Sequence, residues 1–261
     1  MIAAPAAVVA ELAPTGKLRA AINFDNPLLA SRDAVTGAPG GVSVDLAREL
    51  ARRLGLAVDY VPYFAAGKVI EGVKQRVWDI CFLAIDPVRA EQILFTPPYV
   101  VIEGAYVVPE DSPVSDNAEV DRPGVRVLVS TGSAYDLFLS RTIRNATIVR
   151  TTAAKDVVDQ FVAQKLDVAA GVRPALEMDA RRHPGLRLLP GRFMAIHQAM
   201  GCPRGRDSAA AYLREFIEEM KASGFVASAL TRNAVVGASV APPDAAARRV
   251  AVPHQPRLCR R

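Results

Sequence analysis

Gly41-Val42-Ser43-Val44-Asp45-Leu46-Ala47-Arg48-Glu49-Leu50-Ala51-Arg52-Arg53-Leu54-Gly55 is the stretch from which the fold can be read. Over Val44–Leu54 the apolar residues recur at helical spacing, the charges fall on the other face, and Gly55 ends the run as a glycine ends helices. Outward toward the N-terminus lies Leu18–Asn23, a short strand. A turn-rich loop joins it to the helix, from Asp25-Asn26-Pro27 to Thr36-Gly37-Ala38-Pro39-Gly40-Gly41. Outward in the other direction lie a strand at Leu56–Val61, a helix at Gly67–Arg76 and a buried strand at Asp79–Ala84. Strand–helix–strand–helix–strand is the signature of a parallel sheet covered by helices.

Around Glu103–Pro109 the pattern changes. Ala105–Val108 reads as a strand and Pro109–Pro113 as a linker, after which a second alternating series begins. Its strands are Val125–Val129, Thr147–Arg150 and Val168–Gly171. Its helices are Ala134–Arg144, Lys155–Gln164 and a segment running to about Arg182. Arg187–Leu189 and Phe193–Met200 read as extended, Asp207–Met220 as an amphipathic helix and Ser223–Leu230 as another. The expected fold class is therefore α/β with two lobes, each a mostly parallel sheet covered by helices. Lobe 1 is expected at 17–105 and 192–235, and lobe 2 at 110–190. Residues 1–16 are left as an N-terminal segment and 237–261 as a disordered basic tail. Linkers near Pro109 and Pro190 are expected to act as a double hinge. Ligands of open α/β sheets bind outside the carboxyl ends of the strands, so a cleft between the lobes is the expected site.

Composition narrows the function. With 51% hydrophobic residues over 261, the chain can bury a large core, and no stretch reaches the ~18–20 apolar residues of a membrane span. A soluble body is expected. The net charge of +5 belongs mostly to the tail, where Arg248, Arg249, Arg257, Arg260 and Arg261 stand against Asp244. A nucleic-acid binder carries its basic face on the folded domain, so no nucleic-acid partner is expected. Cys81, Cys202 and Cys259 form no CxxC pair, and His183, His197 and His254 show no ligand spacing. No metal and no cofactor are expected, and Cys81 reads as a buried thiol. Met1–Ala10 is apolar but has no basic residue, and Glu11 interrupts it. A secretory leader is thus not visible, which leaves a missing leader, a misplaced start or a cytoplasmic protein as alternatives.

The order of short motifs resembles the family-3 extracellular solute-binding proteins of bacterial ABC importers. The markers are Gly41–Ala47, Trp78-Asp79-Ile80, Pro87-Val88-Arg89, Phe95-Thr96-Pro97-Pro98-Tyr99, Ser130-Thr131-Gly132-Ser133 and Leu166-Asp167-Val168, spread over roughly Lys17–Thr231. The resemblance implies a periplasmic, monomeric protein whose lobes close on a small solute and then dock on a membrane permease. It also implies that Arg89 grips the ligand's carboxylate, for which a guanidinium's planar fork of donors is suited. Ser130 to Ser133 lie between a strand and a helix. Such a turn offers free N–H groups to an anion, although Ser133 reads equally as an ordinary N-cap. Asn23, Phe24 and Phe64 stand where the family places polar and aromatic cleft residues. Asp45 reads as structural.

Two departures from the family pattern shape the expected ligand. The segment before Pro87 is shortened to Phe82-Leu83-Ala84-Ile85-Asp86, so Ala84 stands where a hydroxyl is usual. Val172 stands where amino-acid binders carry the carboxylate that pairs with the ligand's ammonium. A buried ammonium without an anion is costly. The ligand is therefore expected to carry a carboxylate but no α-amino group, with Arg173 near a second anionic or polar end. The alternatives are an amino-acid binder with a non-standard ammonium site, a soluble sensor or scavenger, and a dehydratase-like enzyme. Asp25, Asp86, Glu103 and His197 would be the enzyme's acid–base candidates, but they form no recognisable pair, so no enzymatic activity is expected.

Overall fold

The computed structural model describes residues 4–245. In chain order the elements are α1 (Ala6–Leu12), β1 (Leu18–Asn23), β2 (Ser31–Arg32), β3 (Pro39–Gly40), α2 (Val42–Leu54), β4 (Val58–Tyr63), α3 (Ala66–Gln75), β5 (Ile80–Ala84) and α4 (Pro87–Ala90). There follow β6 (Ile93–Pro109), β7 (Arg126–Ser130), α5 (Ala134–Thr142), β8 (Thr147–Thr151), α6 (Val157–Ala163), β9 (Val168–Val172) and α7 (Arg173–Arg182). The chain continues through β10 (Leu186–Leu188), β11 (Met194–Pro203), α8 (Asp207–Ala222), α9 (Phe225–Arg232) and β12 (Ala238–Val240).

α2 forms as its periodicity dictates. Val42, Val44, Leu46, Ala47, Leu50 and Ala51 are buried, and Gly55 caps the helix at φ 67°. Asp45 is structural: its carboxylate accepts from Arg232 and Asn233 and so ties α2 to α9. β5 is buried at every position, as a strand covered on both faces must be.

The main sheet runs β4-β1-β5-β11-β6-β9-β7-β8. β1 is parallel to β4 and β5, and β7 is parallel to β8 and β9. β11 and β6 stand antiparallel between these two parallel halves. The chain crosses between halves inside β6: its residues 93–104 pair with β11 and Gly104–Val107 pair with β9.

The sequence pattern missed the length of β6, because Pro97 and Pro98 interrupt any simple alternation. Proline has no N–H to give to a ladder. The register with β11 accordingly shifts around Ala199, opposite Pro98, and Thr96 Oγ1 takes the Met200 N–H at 3.2 Å instead.

Part of the stretch expected as a tail is folded. β12 pairs Ala238–Val240 with Val100–Ile102 of β6, and Lys221 Nζ donates to the Pro242 carbonyl at 3.0 Å. The rest of the predicted tail, with Cys259 and His254, lies outside the described residues. The N-terminal segment is likewise part of the folded body. Leu12 is fully buried, and Glu11 Oε2 accepts the Ala209 N–H at the start of α8.

Candidate functional site

Asn23 ends β1, Ala84 ends β5, Ser133 follows β7 and Val172 ends β9. These carboxyl-terminal strand ends converge on one cavity of about 70 Å³ between the two parallel halves. This is where α/β sheets hold ligands.

Arg89 lines the cavity at 3% exposure. A single helical turn holds it there. Asp86 Oδ1 caps that turn by accepting the Val88 N–H, and Pro87 supplies a preset φ at its start. Arg89 Nη1 donates to Ala84 O and Nη2 to Gly132 O, each at 2.9 Å. A guanidinium has five N–H groups, so three remain for a ligand. Burial pushes the Arg89 pKa down to about 10, against the opposing pull of Asp86.

The Ser130–Ser133 turn corrects one expectation. Its backbone donors are already engaged. Thr131 N–H binds Thr151 O, Gly132 N–H binds Asp136 Oδ2 at 2.8 Å, and Ser133 N–H binds Ser130 O. Ser133 Oγ accepts the Asp136 N–H at 3.0 Å as an N-cap. Ser133 and Asp136 have the spacing of a capping box, the sequence signal that the glutamate-like residue would reach back over the turn. What the turn still directs at the cavity is the start of α5, where the N–H groups of Ala134 and Tyr135 have no intrahelical acceptor.

Four of the expected residues stand apart from the cavity. Ser130 is buried in β7 beneath the turn and does not line it. Phe24 and Phe64 lie outside it, their rings 6.0 Å apart, with the Arg32 guanidinium over both. Phe64 is 63% exposed. Arg173 also lies outside: its Nε donates to Glu103 at 2.9 Å and its Nη2 to Gly191 O. Its charge is thus committed to Glu103 rather than to a second ligand end.

Asn23, Ala84, Arg89, Ser133 and Val172 are the expected residues that do line the cavity. Sequence reasoning missed Asn26, Ser43, Tyr135 and Gln198 as lining residues, and weighed Asp25 only as a catalytic candidate. Gln198 pairs with Ala84 across β5 and β11, so the sheet register delivers it to the same strand end as Ala84. Of the other acid–base candidates, Asp86 is paired to Arg141, Glu103 to Arg173 and Arg192, and His197 is exposed on β11. Among the described residues no three His, Cys, Asp or Glu side chains are placed to share a metal ion.

A profile of bacterial extracellular solute-binding proteins, family 3, matches residues 18–233. The chain belongs to this family. This family-3 protein is 25% identical over 198 residues to a membrane-bound lytic murein transglycosylase F of Idiomarina loihiensis, covering 72% of this chain and 43% of the relative. It is 24% identical over 150 residues to an arginine-binding periplasmic protein of Mannheimia haemolytica, covering 56% and 59%. The chain thus spans about half the length of these curated relatives. The crystal structure of a solute receptor for L-cysteine from Neisseria gonorrhoeae superposes with a TM-score of 0.73 at 23% identity, covering 86% of this chain and 92% of the other. At that identity the likeness is one of fold. The family-3 protein is an α/β protein of the periplasmic-binding type, and its family is one of solute binding. Among the described residues no helix is long and apolar enough to cross a membrane.

Proposed function

We propose that this family-3 protein captures a small carboxylate-bearing solute between two lobes, 17–105 with 192–235 and 110–190, and delivers it to a membrane permease of an ABC importer. It would act as a monomer in the periplasm. The observation that carries this reading is Arg89, buried in the cavity with three N–H groups uncommitted. Asp86 acts on Arg89 only from a distance, being paired to Arg141, and a ligand carboxylate would give this buried cation a direct partner. A dehydratase-like activity would need an acid–base pair at the cavity. Asp25 is the only carboxylate that lines it among the described residues.

The test is a thermal-shift and calorimetric screen of small acids against wild type, Arg89→Lys and Arg89→Ala. A solute that binds the folded state raises the melting temperature by mass action. Loss of the charge-assisted hydrogen bonds should weaken binding by roughly 10- to 100-fold. Unchanged affinity in both variants would overturn the reading.

A second reading, an amino-acid binder with a non-standard ammonium site, is favoured by Asp25. The expectation of a ligand without an α-amino group rested on the shortened segment at Ala84 and on Val172. Val172 does present an apolar side chain to the cavity, but Asp25 brings a carboxylate to that same cavity.

A further inference from the structure

We infer that the segment 237–244, which lies beyond the residues matched by the family profile, is a built-in stop that limits how far the two halves open. The inference rests on the reading above only in that the halves move about β6. It does not depend on which solute is bound.

Three observations carry it. First, the segment is fastened to the half that contains β1, β4 and β5. β12 pairs Ala238–Val240 with Val100–Ile102, on the edge of β6 opposite β11. The Ala241 N–H binds Tyr99 O at 3.0 Å, and the Asp244 N–H binds Glu218 Oε2 at 3.2 Å. Lys221 Nζ, whose side chain is buried in α8, holds the Pro242 carbonyl. Second, β12 begins where the other half ends. β9 pairs with the same edge of β6 from Gly104 onward, so only Glu103 separates the partner of Val172 from the partner of Ala238. Third, Pro174, in the first turn of α7, packs on Gly237. A Cβ on Gly237 would lie 2.3 Å from Pro174 Cγ, so only glycine leaves room for the ring, and its φ of +78° suits glycine too.

The contact lies on the side of β6 away from the cavity. Ile196 lines the cavity and pairs with Ile102, which pairs with Ala238. Successive residues of a strand face opposite sides, so Glu103 and Gly237 look the other way. Arg173, next to Pro174, meets Glu103 on that side. Neither Gly237 nor Pro174 lines the cavity. Bending of β6 that widens the cavity must press its opposite side together. There a proline ring already rests on backbone, and close-packed groups resist compression. The ring is rigid and cannot swing aside as a longer side chain could. Hinges concentrate their motion in a few residues, and the stop stands beside Glu103 and Gly104, where the chain passes from one half to the other.

The experiment measures the distance between spin labels by pulsed electron paramagnetic resonance, with no solute added. The labels sit on Lys68→Cys in α3 and Arg144→Cys just after α5, both exposed positions, in a Cys259→Ser background. Cys81 and Cys202 are buried. The labelled full chain is compared with Pro174→Ala, a chain ending at Val236, a chain ending at Ala245, and Arg141→Ala. The last removes a contact between the halves beside the cavity. Pro174→Ala and the chain ending at Val236 should gain a population at longer distance that the full chain lacks. The chain ending at Ala245 should match the full chain. A melting curve accompanies each protein. Lower melting temperatures with unchanged distances would mean that the segment only stabilises the fold, and would overturn the inference. If the chain ending at Val236 does not fold, Pro174→Ala decides alone, since it keeps the whole segment and alanine suits the start of α7. If Arg141→Ala gains longer distances and Pro174→Ala does not, the stop is refuted and the motion of the halves stands. If no variant changes the distances, the halves form one rigid body and the capture reading falls with the inference.

Discussion

Arg141 on α5 donates to Asp86 Oδ2 at 2.6 Å, and this contact ties the helix that follows β7 to the turn that carries Arg89. Asp86 is buried, whereas the Arg141 side chain is 40% exposed. Asp86 also caps α4 through Val88. Asp86→Ala should therefore destabilise more than Arg141→Ala. Loss of the cap alone costs about 1 kcal/mol. Urea unfolding of both single variants and the double variant should give a coupling energy of about 0.5–1 kcal/mol. Strict additivity would show that the ion pair contributes nothing.

Gly132 and Gly67 make a second close approach between the halves, and they should respond oppositely to alanine. Gly132 has φ +70°, and a Cβ there would come within 3.4 Å of Gly67 Cα. Gly132→Ala should cost about 1–2 kcal/mol for the left-handed backbone. It should also weaken solute binding, since Gly132 O holds the Arg89 guanidinium. A Cβ on Gly67 would sit at 4.0 Å from Gly132 Cα, an ordinary contact, and Gly67 lies in α3. Gly67→Ala should be neutral or stabilise by about 0.5 kcal/mol. Chemical denaturation of both variants, with binding measured in parallel, checks the contrast.

What the sequence disclosed follows from how local each feature is. α2 was legible because its apolar periodicity and Gly55 are local signals, and Arg89 was legible because a short motif marks its turn. β6 was not, because Pro97-Pro98 hides a strand whose ladder is repaired only by Thr96 and a register shift in β11. β12 has no pattern of its own and exists through pairing with β6. Asp25 sits in an Asp-Asn-Pro stretch that reads as turn chemistry, and only the tertiary fold brings its side chain to the cavity. Phe24 and Phe64 were expected in the cleft on position alone. Their rings instead pack with Arg32 outside the cavity, a contact no sequence spacing encodes.

Acid should weaken the ion pairs that hold α2. Arg52 holds the Glu49 carboxyl down to about 2, burial opposes the shift and Arg53 adds to it. An acid with a depressed folded pKa contributes stability that is present above its unfolded value and lost as pH falls through the folded one. Stability should therefore decline from about pH 4.5 toward pH 2. Glu49→Gln should flatten part of that slope and lower the melting temperature at pH 7. High salt should shrink part of the difference, because Arg52 is exposed while Glu49 and Arg53 are half-buried. Melting curves across the range, with and without salt, provide the measurement.

Asp25 should have the opposite effect in the ligand-free protein. Its pKa is raised, chiefly by burial. An acid with a raised folded pKa contributes stability below its unfolded value and loses it as pH rises through the folded one. At neutral pH the ionised Asp25 is thus a cost to the empty protein. Asp25→Asn removes the charge, and its Oδ1 can still accept from Ala154. The ligand-free variant should melt higher than wild type at pH 7, and the gap should close as pH falls toward 4. A lower melting temperature at pH 7 would mean that Asp25 is already paired favourably within the protein, for which Lys155, whose charge opposes the rise in the Asp25 pKa, is a candidate. The carboxylate would then have little to gain from a ligand cation. A higher one would mark a group retained at the expense of stability, as binding residues often are.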